Sequence, residues 1–306
     1  MTQKPAVILV GAGYVGTALM RELSRRGREC QAVVSSKASA ERMADAGLSY
    51  QRVDLDADHR SIVFPDRCGV VYLVPPERTT DRDERLSRFL DQLPTAVSAL
   101  VYVSTTGIYG DQQGKLVDET VAPAPHSARA RRRVDAEQQV SAICEEHRIT
   151  WRIARVPGIY GPGRLPLQSL KDARPVIRVS EANPGNRIHR DDLARALADV
   201  FEQAEHASRD TDEHIRGDVY NLGDNNYMSS SQFAMEVARL AGLPEPPQIS
   251  RADMKATASS VRWSFLVESR RLDSRKVTGV LSEPLRYTNP LLGIQASLDA
   301  PDDPAA

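Results

Sequence analysis

Lysine is scarce in this chain: six stand against thirty-four arginines, and none lies between Lys115 and Lys171. Tyrosine is likewise missing between Tyr109 and Tyr160. The three cysteines, Cys30, Cys68 and Cys144, show no C-x-x-C and no ligand-like spacing. That pattern argues for a reducing compartment and against a disulfide framework. The six histidines are dispersed too, so no metal is expected. Long apolar runs are lacking. The first, Ala6 to Val10, is too short for a signal-peptide core or a membrane span, which predicts a cytoplasmic protein with no membrane association. Charge of one sign is lacking as well: a net charge of −1 gives no reason to expect nucleic acid or an anionic membrane as partner.

What is present suits a large core. With 41% hydrophobic residues, 306 residues allow one large α/β domain or two smaller ones. Ala6 to Val10, bounded by Pro5 and Gly11, reads as a strand buried on both faces. Tyr14 to Arg26 reads as a helix, with Val15, Leu19 and Leu23 spaced by four and Gly27 as its stop. Strands are predicted at 30–34, 50–54, 69–74, 99–104 and 150–155, and helices at 39–46, 82–93 and 130–146. This alternation implies a parallel, doubly wound sheet. After Arg155 the rhythm loosens, with helices predicted at 191–205 and 229–241 and a brief strand at 219–222.

Gly11-Ala12-Gly13-Tyr14-Val15-Gly16 follows the first strand and opens the first helix, the context in which G-x-G-x-x-G has a mechanism. Gly11 permits the tight turn, Gly13 lets backbone approach a pyrophosphate, and Gly16 allows helix–sheet packing. The second strand ends in Val34-Ser35-Ser36-Lys37 with no acid to bind a ribose 2′-hydroxyl. NADP is therefore favoured over NAD, although a plain solvated loop of Ser35, Ser36 and Lys37 reads the same way. Asp54, closing the third strand, could reach the adenine, although a plain surface-loop aspartate reads the same way.

With these motifs in hand the chain resembles the extended short-chain dehydrogenase/reductase family, also called NAD-dependent epimerases/dehydratases. The likeness covers roughly residues 5 to 298. It rests on Gly11 to Gly16, on Val53-Asp54-Leu55 and on Ser104-Thr105-Thr106-Gly107-Ile108-Tyr109-Gly110. Arg155 to Gly163, Arg187 to Ala194 and Val219 to Gly223 extend it. The family often reads T-G-x-x-G-x-x-G, and Val10 at its first glycine makes this chain resemble the smaller atypical members. The resemblance adds Tyr14, Val15, Leu55, Val74 and Pro157 to the expected cofactor contacts. It implies a small-molecule substrate and, because members frequently pair through two helices, a homodimer as one option.

The resemblance also locates a loss. A Ser or Thr four residues before the Tyr-Gly pair holds the reacting oxygen in typical members, and that position is Thr105. The family's tyrosine is the general acid/base, with a lysine lowering its pKa and holding the nicotinamide ribose. Counting back from Glu137 puts Arg133 at the lysine and Arg129 at the tyrosine. Arg133 could still donate to a ribose, but a guanidinium stays protonated and is a poor proton shuttle. Three readings remain open. Arg129 anchors a substrate carboxylate or phosphate while another group moves the proton. Alternatively Tyr160 or His189 has taken over. Or the protein is a non-catalytic NAD(P) sensor. Arg131 and Arg132 read as a solvated helix face. Gly110 to Lys115 is one residue short of a phosphate loop, and His189-Arg190-Asp191 lacks every other kinase part.

The expected organisation is thus α/β: a Rossmann-type doubly wound parallel sheet over 1–155 and 188–224, with a small substrate lobe from 156–187 and 225–299 and a frayed tail at 300–306. The expected activity is that of an NAD(P)-dependent oxidoreductase, epimerase or dehydratase on a small polar or anionic substrate.

Overall fold

The computed structural model describes residues 5–57, 61–77, 80–209 and 216–300, so the tail expected after Ala300 lies outside the described residues. The chain begins β1 (Ala6–Val10), α1 (Tyr14–Arg25), β2 (Cys30–Val34), α2 (Lys37–Asp45) and β3 (Tyr50–Arg52). It continues through β4 (Cys68–Tyr72), α3 (Glu84–Leu90), β5 (Ala99–Thr105), the two-residue β6 (Leu116–Val117), α4 (Ala128–Glu146) and β7 (Thr150–Val156). Shorter pieces follow: β8 (Gly158–Tyr160), α5 (Leu167–Lys171), β9 (Val176–Ile177) and β10 (Arg187–His189). The last elements are α6 (Arg190–Ala207), β11 (Gly217–Asn221), α7 (Ser230–Leu240), β12 (Gln248–Ile249), α8 (Arg251–Thr257), α9 (Ser260–Val267), β13 (Arg271–Leu272) and α10 (Pro290–Asp299).

Seven strands form one sheet in the order β11-β7-β5-β4-β1-β2-β3, and every neighbouring pair is parallel. All residues of β4 and β7 are buried; β4 reads as an apolar run without alternation, whereas β7 buries Arg152 and Arg155 within it. On one face Leu19 and Leu23 of α1 share a core with Leu197 and Phe201 of α6. On the other, Leu86 and Phe89 of α3 meet Ala136 and Val140 of α4. Further along the chain Tyr160, Leu170, Phe233, Val237 and Ile294 form a separate cluster. The pairs β8–β10, β9–β12 and β6–β13 are parallel two-stranded sheets that sequence pattern did not reveal.

Caps explain where the boundaries differ from the periodicity. Ser36 accepts from the Ser39 amide at 3.1 Å, so α2 starts at Lys37. Asp83 accepts from the Leu86 amide, so α3 starts at Glu84. Ser127 does the same for α4. Ser229 and Gln232 form a capping box on α7, and Gly242, at φ +64°, follows its end. Among the described residues no helix is long and apolar enough to cross a membrane.

Candidate active site

Two cavities open at the carboxyl ends of the sheet strands. The first, of about 380 Å³, is lined by Gly11, Gly13, Ser35, Asp54, Leu55 and Val74 among the residues expected from sequence. Gly11 has φ +91°, and a Cβ there would lie 2.7 Å from Val74 Cγ2. A Cβ on Gly13 would meet nothing within 4 Å, so that stretch of backbone is open to a ligand. Gly16 sits where a Cβ would come within 3.0 Å of the Gly11 carbonyl. Gly13 is the N-cap of α1 with no side-chain cap, and no acid stands in the first turn. An uncapped helix start without an acid is a cradle for an anion such as a pyrophosphate.

Several expected cofactor residues stand elsewhere. Ser36 is engaged as the α2 cap, and Lys37 points to Glu41 at 3.6 Å. The Tyr14 hydroxyl donates to the Pro162 carbonyl at 2.9 Å, under the Arg164 guanidinium. Val15 packs against the core, and Pro157, between β7 and β8, is not part of the lining. Sequence reasoning missed Ser39, Asp56 and Arg85 in the cavity wall. The Arg85 guanidinium bonds Asp56 and holds its carboxyl below the usual range.

Thr105 ends β5, half-buried, and accepts from the Gly107 amide at 3.2 Å. Below it Ser104 donates to Glu137 at 2.5 Å. Glu137 pairs with Arg155 at 2.8 Å, and Arg155 donates to the Tyr109 hydroxyl at 2.9 Å. Arg133 reaches into this framework: its Nη1 donates to the Tyr102 hydroxyl at 2.7 Å and to the Val103 carbonyl at 3.0 Å. Tyr102 is fully buried, and burial pushes its phenol up to about 12. The phenol beside Arg133 thus faces the sheet interior and has no path to a substrate.

Arg129 lies exposed, its guanidinium carbon 4.0 Å above the Phe265 ring. Arg131 pairs with Asp81 at 3.3 Å, and Arg132 donates to the Thr80 carbonyl at 3.0 Å. Both contacts are exposed, so these two lie on a solvated face of α4, as expected, while reaching the segment after β4. Tyr160 and His189 are buried as well. The Tyr160 hydroxyl packs where a Gly293 side chain would be, and His189 Nδ1 accepts from the Asp191 amide as the cap of α6.

The second cavity, of about 440 Å³, is lined by Thr106, Arg187, Phe265, Glu268 and Arg270 among others. Arg187 is 9% exposed, stacks 4.4 Å over Phe233 and donates to the Met228 carbonyl. Burial pulls its guanidinium down to about 10, against the charge of nearby Asp224. Arg270 donates to Gly110 and Glu268, and its Nε is buried with no partner. Neither arginine was foreseen as a site residue. Among thirty-four arginines, nothing in their spacing sets them apart.

A sheet of this order with a glycine cradle at its switch point between β1 and β4 defines a dinucleotide-binding Rossmann protein with a substrate cleft beside it. More narrowly, the chain belongs to the NAD dependent epimerase/dehydratase family, whose sequence profile matches residues 7–223. It is 26% identical to Protein YeeZ of Escherichia coli over 257 residues, 79% of this chain and 85% of that protein. A functionally unknown conserved protein from Silicibacter pomeroyi superimposes with a TM-score of 0.80 at 26% identity, covering 96% of this chain and 98% of that one. MoeE5, solved in complex with UDP-glucose and NAD, shares the fold with a TM-score of 0.71 at 21% identity over 96% and 97% of the two chains.

Behind the second cavity, burial raises the Asp224 carboxyl from the usual 3.8 to about 7, more than the Asn226 amide and the Arg187 charge lower it. A carboxyl whose pKa is higher folded than unfolded stabilises the fold when protonated, and that contribution is lost as pH rises from about 4 to about 7. Asp224→Asn should flatten this fall. In urea titrations the variant should gain on wild type, by up to roughly 4 kcal/mol between pH 4 and pH 8 at about 1.4 kcal/mol per pKa unit. An unchanged difference across that range would show that Asp224 ionises as freely folded as unfolded.

Proposed function

We propose that this protein is an NAD(P)-dependent oxidoreductase of the epimerase/dehydratase type acting on a small anionic substrate. The observation that carries the reading is the pair of sheltered guanidiniums, Arg187 and Arg270, in a cavity that starts at Thr106, beside the end of β5. Arg187, buried and donating to the Met228 carbonyl, and Arg270, which pairs with Glu268 but whose Nε has no partner, are both placed to gain from an incoming carboxylate or phosphate. The nicotinamide, when bound, supplies the hydride donor or acceptor. The Gly11–Gly16 backbone and the α1 amides hold the pyrophosphate, and Asp54 and Leu55 flank the adenosine. Thr105 orients the reacting oxygen by a hydroxyl hydrogen bond, while Arg187 and Arg270 fix the anionic end. Arg129 shapes the cleft through Phe265 and moves no proton.

The cofactor assignment extends to NADP. Ser35 rather than a carboxylate follows the end of β2, with Ser39 of α2 beside it in the cavity wall, and no acid stands there to bind a ribose 2′-hydroxyl. Ser35→Asp should weaken NADPH binding roughly tenfold or more, about 1.4 kcal/mol of like-charge repulsion, while NADH binding changes little. Equal loss of both cofactors would count against this placement.

A second reading, a non-catalytic NAD(P) sensor, draws support from the burial of Tyr102, Tyr109 and Tyr160, of which Tyr160 alone lines the second cavity, at 3% exposure. Steady-state oxidation of NADH and NADPH across a panel of anionic carbonyl compounds separates the two. The enzyme reading expects wild-type turnover, with KM raised roughly tenfold in Arg187→Gln for loss of one charge-assisted hydrogen bond. Tight cofactor binding without turnover, with activity arising only in Arg129→Tyr/Arg133→Lys, would establish the sensor.

A further inference from the structure

The cavity that holds Arg187 and Arg270 continues sideways. A smaller annex of about 220 Å³ adjoins it, and the two share Pro166, Ile177, Ser230, Ala234 and Leu266 in their walls. Deeper in, the annex is closed by Leu170 and Met254, which are 5% and 1% exposed. Its charged groups are the arginines Arg174 and Arg262, and both are engaged. Arg174 pairs with Asp172 at 3.3 Å, and Arg262 donates to the Pro175 carbonyl at 2.7 Å.

The annex is poorly equipped to read a nucleobase. No carboxamide and no carboxylate lines it; apart from the two arginines its side-chain polar groups are serine hydroxyls. Recognition of a base edge uses paired donors and acceptors such as side-chain amides and carboxylates supply. The neighbouring backbone is also engaged, since Val176 donates to the Pro247 carbonyl and Arg178 to the Ile249 carbonyl between β9 and β12. What the annex offers is aliphatic surface.

Building on the anionic-substrate reading above, we propose that the ligand is amphipathic. An oxyanion head, phosphate or carboxylate, is held by Arg187 and Arg270, and an aliphatic or aryl tail lies in the annex against Leu170, Ile177, Ala234 and Met254. The buried guanidiniums set the head, and the apolar annex sets the length of the tail.

Calorimetric titration of the full-length protein, saturated with NADH, tests this with inorganic phosphate, ethyl, butyl and hexyl phosphate, heptanoate and uridine diphosphate. The expected result is binding of phosphate that Arg187→Gln abolishes. Affinity should then rise roughly fourfold for each methylene that enters the annex, until the annex is full. Heptanoate binding on a par with hexyl phosphate would support a carboxylate head, and weaker binding a phosphate head. Ala234→Trp should erase the gain from the tail. Met254→Ala, which deepens the annex without blocking it, should shift the preferred tail to a longer chain. Phosphate binding with no gain from any tail would overturn the amphipathic ligand while leaving the anionic reading in place. Uridine diphosphate that outbinds the alkyl phosphates and is excluded by Ala234→Trp would give the annex to a nucleoside and also overturn it. No response to phosphate or to any alkyl phosphate or carboxylate would overturn both readings together.

Discussion

The Glu137 carboxylate and the Arg155 guanidinium meet at 2.8 Å in the interior, where each side chain is 7% exposed. Glu137 belongs to α4 and Arg155 to β7, so the pair ties the helix to the strand next to the β11 edge of the sheet. Ser104 of β5 donates to the same carboxylate, and Arg155 also holds the Tyr109 hydroxyl, which in turn donates to Asn221 of β11 at 2.8 Å. Removing one partner of a buried pair leaves an uncompensated charge at a cost of roughly 3–5 kcal/mol. The floor of the cleft and the rotation of α4 are therefore set by one connected network.

That rotation decides what the arginine run can do. Arg133 and Arg129 lie four and eight residues before Glu137, on the same face of α4 and hence toward the cleft. At the nearer position the guanidinium finds the Tyr102 hydroxyl and the Val103 carbonyl. At the farther one it stacks on Phe265, which walls the substrate cavity. Arg131 and Arg132 catch the segment after β4. The arginine stretch thus joins β5, the post-β4 segment and α9 through planar, many-donor side chains, a task for which arginine suits better than lysine.

The cofactor half of the molecule was legible because each of its parts is local. Gly11 to Gly16 is one loop, Ser35 ends one strand, and Asp54 follows another, so spacing alone brings them to one edge of the sheet. Lys37 opens α2 behind the Ser36 cap and faces Glu41, a placement the spacing did not indicate. The substrate half was mostly illegible. It is assembled from segments as distant as Thr106, Arg187, Phe265 and Arg270, joined by two- and three-residue strands too short to leave a period. Arg187 could be read as part of a helix approach, but not as a buried cation. Its depth follows from Gly185, where a Cβ would lie 2.8 Å from the Arg187 guanidinium.

Every role proposed for the site requires that the Gly11–Gly16 loop hold a dinucleotide. Isothermal titration of NADH and NADPH into the wild-type protein and Gly11→Val measures this most directly. This requirement predicts saturable one-site binding to the wild type, lost in the variant because the added side chain meets Val74. Absence of saturable binding in the wild type, or binding untouched by Gly11→Val, would contradict it.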